Sequence, residues 1–134
     1  MCLYVRREDS YVNPHIATED IICYKVLYRT SQAKYYTPFR EVNCKLNSLF
    51  IANANDIYDP YDIINIVKSS GFIHAYTNLS TACKIRDSFN YLNKYNNIHY
   101  FCVECIIKKD TAYFIGMDND ICATSLFITS KIVS

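Results

Sequence analysis

Three side chains have the types and spacing to hold a ligand: His74 and Tyr76 in one segment, and Arg29 at the end of another. His74 and Tyr76 fall on one face of a strand expected over residues 71–76, because strand side chains alternate with period two. An imidazole that changes charge near neutral pH beside a phenol with a packing ring and a polar tip suits a nucleotide-like small molecule. On a second expected strand Tyr24 and Tyr28 share a face with Ile22 and Val26 and read as core, while Tyr28 and Arg29 near its end are placed to reach a ligand. The plainer use of the same residues is structural: a strand histidine bonded to a neighbour, and core tyrosines.

Other candidate constellations are weaker. Cys102 and Cys105 have C-x-x-C spacing but lie inside an expected strand. Their odd offset sends them to opposite faces, so they cannot share one metal without a bulge. Asp118-Asn119-Asp120 lacks the central glycine and distal glutamate of a calcium loop and reads as a turn. Two isolated glycines cannot make a phosphate-cradling loop. No metal or cofactor is expected, and no nucleophile is singled out for catalysis. Glu104, amid apolar residues, needs a partner if buried, with Lys25 or Arg86 as candidates.

These residues need elements to position them. Residues 1–5 read as an edge strand, 6–18 as irregular, and 21–28 (IICYKVLY) as a central strand covered on both faces. Thr37-Pro38 marks a corner, and alternation over 42–46 marks a half-buried strand. Asp59-Pro60-Tyr61-Asp62 has the side chains of a helix start, for a helix to about Ser69. A second helix follows Thr77 or Asn78, with Ala82, Ile85, Phe89 and Leu92 at helical spacing opposite Lys84, Asp87 and Asn90. Residues 98–107 form the strongest strand, 112–115 pairs back on it as a hairpin, 116–120 is a loop, and 124–133 is the last strand. The expected fold class is α+β: one domain over residues 1–134, with a mixed or antiparallel sheet of five to seven strands and two short helices.

Composition bounds the function classes. The 134 residues fit one domain, and a net charge of +1 gives no field for nucleic acid or membrane surfaces. The start of the chain has no apolar signal region, and no apolar run reaches bilayer length. Seven scattered cysteines then read as reduced, mostly buried thiols in the cytosol. Thirteen tyrosines and seven phenylalanines suit interfaces, so a homo-oligomer is an expected state.

Two resemblances extend this reading. MCLYV, IATEDIICYKVL, YYTPF, GFIHAYTNLSTA, VECIIKKDTAYFIG and DICATSLFI together resemble a family of short uncharacterised proteins of gut bacteria and their phages. That likeness implies a phage or mobile-element protein in the host cytosol and brings no activity. The order of YKVLYR, GF-x-x-A-x-T-N-L-x-x-A and VECIIKKDTAY resembles the ADP-ribosyltransferase-like layout. It implies NAD held by Tyr24 or Arg29 on one strand and by His74, Tyr76 and Thr77 after the Gly-Phe strand. The catalytic acid of that layout is missing from ICATSLFI, leaving Asp118 or Asp120 as displaced substitutes.

Three functions are therefore expected in competition. The first is a small non-enzymatic binding protein for a nucleotide-like ligand or a host protein. The second is a transferase-like enzyme with a displaced acid. The third is a virion-associated assembly protein whose tyrosines form subunit contacts.

Overall fold

The computed structural model describes residues 15–38, 42–51, 73–116 and 119–134. Ten strands form one antiparallel sheet: β1 (His15–Ile16), β2 (Ile21–Arg29), β3 (Tyr35–Tyr36), β4 (Asn43–Cys44), β5 (Ser48–Ile51), β6 (Ile73–Tyr76), β7 (His99–Ile107), β8 (Ala112–Ile115), β9 (Asp120–Ala123) and β10 (Ser125–Ile132). A single helix, α1 (Leu79–Leu92), lies among the described residues. Strand makes up 51% of the described residues, so the expected α+β class with five to seven strands and two helices is corrected to a mostly antiparallel β protein. The helix expected over 59–69 and the edge strand expected over 1–5 fall outside the described residues.

The sheet runs β5-β10-β7-β2-β6-β9-β8-β1. Its centre is the pairing of β2 with β7 over nine positions, Ile21 opposite Ile107 through Arg29 opposite His99. Both strands are rich in β-branched and aromatic residues and are buried on both faces over most of their length, Ile22 being an exposed exception. The other edge of β2 forks. β6 pairs with it at Tyr24, while β3 pairs at Tyr28 and Arg29 and continues the ladder to β4.

The expected hairpin between residues 98–107 and 112–115 does not form. β2 and β10 occupy the two edges of β7, so the chain crosses over at residues 108–111 and β8 pairs with β9 and β1 instead. The crossover is pinned to the loop before β2. Lys109 N donates to Asp20 Oδ1 (2.9 Å), Asp110 N to Ala17 O (2.7 Å) and Ala17 N to Thr111 O (3.0 Å). Asp110 takes a φ of 73°, a left-handed turn that short polar side chains tolerate.

Alternation gives the sheet two faces. One carries Cys23, Leu27, Phe101, Val103, Cys105, Ile107, Ile121, Leu126 and Ile128 in the larger core. The other carries Val26, Tyr28, Tyr76, Tyr100 and Cys102 beneath α1. Asn78 caps the helix, its Oδ1 accepting from Ser80 N at 2.7 Å. Ala82, Ile85 and Phe89 face the sheet as their spacing predicts, and Phe89 stacks on Tyr100 with ring centres 4.9 Å apart. Leu92 departs from that expectation and is 75% exposed beside Tyr91 and Tyr95. Asn90 departs in the other direction. Its amide donates to Tyr100 O (3.1 Å) and accepts from Tyr100 N (2.8 Å), satisfying both main-chain groups at the start of β7.

Candidate interaction face

Register partners in a sheet share a face, and the helix-side face carries two parallel rows. The first is polar: Glu104 of β7, Tyr24 of β2, Tyr76 of β6 and Asp120 of β9 are successive partners. The second is apolar: Leu49 of β5, Phe127 of β10, Ile106 of β7 and Ile22 of β2 are likewise successive partners. α1 packs over Val26, Tyr28, Tyr100 and Cys102 of this face, in a buried cluster to which no member of the second row belongs. Leu49 and Ile22 are 50% and 55% exposed, Phe127 and Ile106 half-buried. At interstrand spacings of about 4.8 Å the apolar row spans about 14 Å.

The rows differ in access. Tyr76 and Asp120 are buried, and burial followed by the neighbouring Asp120 pushes the Tyr76 phenol well above its ordinary range. Tyr24 and Glu104 are only half-buried. The two carboxylates stand three strands apart, about 14 Å, whereas paired carboxyl catalysis works at about 5–9.5 Å. Glu104 is paired with Lys131 at 3.3 Å, not with Lys25 or Arg86. That pairing depends on the irregularity in β10 between Ile128 and Ile132, where Thr129 Oγ1 donates to Glu104 O (2.8 Å) and accepts from Lys131 N (3.1 Å). A bulge of this kind re-aims side chains, and here it turns Lys131 toward Glu104. Lys108 Nζ lies 4.9 Å from the centre of the Phe127 ring. The apolar row is thus bordered by two lysines.

Of the five residues expected to hold a ligand, Tyr24, Tyr76 and His74 are brought together. Tyr24 and Tyr76 are direct partners, and His74 lies on the same strand face as Tyr76. Thr77 follows directly but is exposed and bonded to the 119 turn, its N and Oγ1 donating to Asn119 O at 2.8 and 3.2 Å. Arg29 is not part of the group. It lies on the opposite face at the far end of β2, its guanidinium 5.9 Å from the Tyr35 ring centre. Sequence reasoning missed the apolar row because IICYKVLY is apolar on both faces, which reads as two covered faces. The exposure of Ile22 and Leu49 depends on where α1 stops, which no periodicity within β2 encodes.

The opposite face holds a second feature that the sequence reading passed over. Lys25 is 7% exposed and donates from Nζ to His74 O at 2.5 Å. Burial lowers its pKa, against the opposing influence of Cys105, Cys44 and Cys23. Burial in turn raises those thiols, Cys23 to about 12. Cys105 lies in this core and Cys102 in the other, the opposite-face placement that their spacing predicts. No helix among the described residues is long and apolar enough to cross a membrane. Comparison with protein-family models, curated proteins and solved structures finds no match.

Proposed function

We propose that this chain is a non-enzymatic interaction protein that docks a partner protein on the helix-side face of its sheet. The observation that carries the reading is the in-register row Leu49–Phe127–Ile106–Ile22, whose outer members Leu49 and Ile22 are exposed. Contiguous exposed apolar surface rimmed by polar groups marks binding sites, and here the rim is Tyr24, Glu104, Lys131 and Lys108. Isoleucine, phenylalanine and tyrosine at the centre with charge at the edge is the anatomy of a protein interface. A net charge of +1 does not favour a polyanion as the partner. The two lysines suit a partner that sets acidic residues beside its own apolar side chains.

The test compares proteins that co-purify with the wild type, with Phe127→Asp and with Leu92→Asp, the last an exposed apolar site away from the face. A partner retained by Leu92→Asp and lost by Phe127→Asp, then rebound in purified form, supports the reading. The same partners on all three sink it. Concentration-dependent dimers lost only in Phe127→Asp would reassign the face to a second copy. Calorimetric heat with a nucleotide that disappears in Tyr24→Phe would reassign it to a small ligand.

A further inference from the structure

An unpaired sheet edge offers its main chain to any strand that meets it, and proteins block such edges with charge, bulges or short strands. The edge made by β5 and the end of β10 is blocked along only part of its length. β5 covers β10 from Ser125 to Ile128. Beyond that point β10 is irregular between Ile128 and Ile132 and carries Lys131, its side chain 68% exposed. A bulge and a lysine keep that stretch from pairing. β5 has neither. Ser48-Leu49-Phe50-Ile51 holds no charge, proline or glycine, and its register with β10 runs unbroken. It ends the main run of the sheet, with no strand beyond it among the described residues. At the opposite end, β1 is only two residues long.

Alternation divides the side chains of β5. Phe50 packs against the larger core, while Leu49 and Ile51 stand on the helix-side face, 50% and 66% exposed. Successive residues also send their N–H and C=O groups to alternate edges, so half of the β5 main chain points away from β10.

We infer that the outer edge of β5 pairs antiparallel with β5 of a second copy of this chain, about a two-fold axis at Phe50. Such an axis stands perpendicular to the joined sheet, so each side chain stays on its own face and opposes one of the same parity. Centring on Phe50 sets Leu49 of each copy against Ile51 of the other, and both exposed apolar side chains gain a partner. Centring on Leu49 sets Ile51 against Asn47, which has a φ of 55° in the preceding turn and leaves Ile51 in water. A net charge of +1 opposes the meeting of two copies only weakly. With one short strand from each copy, the dimer is concentration-dependent rather than permanent. Ile51 lies opposite Ser125, outside the row Leu49–Phe127–Ile106–Ile22, so the pairing holds whether or not a partner docks on that row. Because the axis preserves faces, the rows of both copies share one side of the joined sheet.

Sedimentation equilibrium of the full chain across the micromolar range tests the pairing. The wild type should pass from monomer to dimer as concentration rises. Ile51→Lys and Leu49→Glu should each weaken association about tenfold. An equal mixture of those two variants should regain the dimer, since the new carboxylate of one copy faces the new amine of the other. That rescue belongs to the Leu49–Ile51 register alone. Ile22→Lys, at the far end of the apolar row, should leave the dimer intact and so separates the edge from the face. Circular dichroism checks that each variant is folded. Should a variant unfold, hydrogen exchange of the wild type decides: amides of residues 48–51 should exchange several-fold more slowly at high concentration, and those of α1 equally at both. A wild type that stays monomeric overturns the inference. So do dimers that survive Ile51→Lys, a mixture that associates no better than its components, dimers lost in Ile22→Lys, or exchange at 48–51 that ignores concentration.

Discussion

Lys25 Nζ donates to the carbonyl oxygen of His74 at 2.5 Å, so a lysine from the central strand ties β6 to β2 from inside the core. The bond sits just past Tyr24–Tyr76, the only register pair between these two strands among the described residues, and it adds a side-chain tie to that junction. The amine has thiols around it and lies on the face opposite Glu104.

This placement sets a pH dependence. Burial depresses the folded pKa of Lys25, so the native state holds fewer protons than the unfolded one between that value and about 10.4. Stability from this group therefore rises with pH through that window and falls as pH drops through it. Lys25→Met removes the effect. Urea titrations at pH 7 and 9.5 should show the variant losing stability relative to wild type as pH rises, by up to about 1.4 kcal/mol per unit. Parallel pH profiles would refute the assignment.

The buried thiols act with the opposite sign. Burial raises the folded pKa of Cys23, Cys44, Cys102, Cys105 and Cys122, so their contribution is complete below the unfolded thiol value of about 8.5 and is lost as pH rises toward the folded value. With five such groups against one lysine, the reduced protein should weaken steeply above about pH 8.5. Cys105→Ala should lessen the fall between pH 8.5 and 9.5 by about 1 kcal/mol, measured against its own value at pH 7. A wild type equally stable at pH 7 and 9.5 under reducing conditions would rule this out.

Leu126 and Phe127 are adjacent in β10 but face opposite ways, one at 1% exposure in the larger core and the other on the apolar row. Leu126→Ala should cost about 2–5 kcal/mol of folding stability. Ile22→Lys, at a register neighbour of that row, should change stability by no more than about 0.5 kcal/mol while abolishing partner binding. If Ile22→Lys unfolds the protein, the row is core and not an interface.

Asn90 offers a chemical test of the helix–sheet joint. Asn90→Asp replaces the donor facing Tyr100 O with a carboxylate oxygen and should cost about 1–3 kcal/mol at pH 7. Part of the loss should return as the solution approaches pH 4, where the protonated acid can donate again. A loss independent of pH would show that helix propensity, not the clamp, is at stake.

The long elements were legible because each declares itself locally. Ile21–Arg29, His99–Ile107 and Ala112–Ile115 lie where β-branched and aromatic residues cluster, and Asn78 is where a capping residue precedes a helical stripe. The short strands were not legible. His15–Ile16 and Tyr35–Tyr36 hold two residues each, too few to show a period, and Asp120–Ala123 follows a polar turn that hides its start. Partner choice was the larger gap. Nothing in residues 108–111 says that β8 joins β9, because the edge of β7 is taken by β10, a strand lying later in the chain. His74 and Tyr76 share a face as alternation predicts, the pairing of Tyr24 with Tyr76 was not readable from alternation, and Arg29 lies apart from them by parity. It stands five residues from Tyr24, an odd offset that puts it on the other face.

The nine-position pairing of β2 with β7 also governs how this chain reaches its fold. Its partners are at least seventy residues apart, from Arg29 with His99 to Ile21 with Ile107. The interior of the sheet therefore closes only after a long loop has lost its freedom, and no local hairpin can stand in for that step. Refolding on the scale of milliseconds to seconds follows from such topology. Substitutions along this seam should slow folding more than they speed unfolding wherever the pairing is already formed in the transition state.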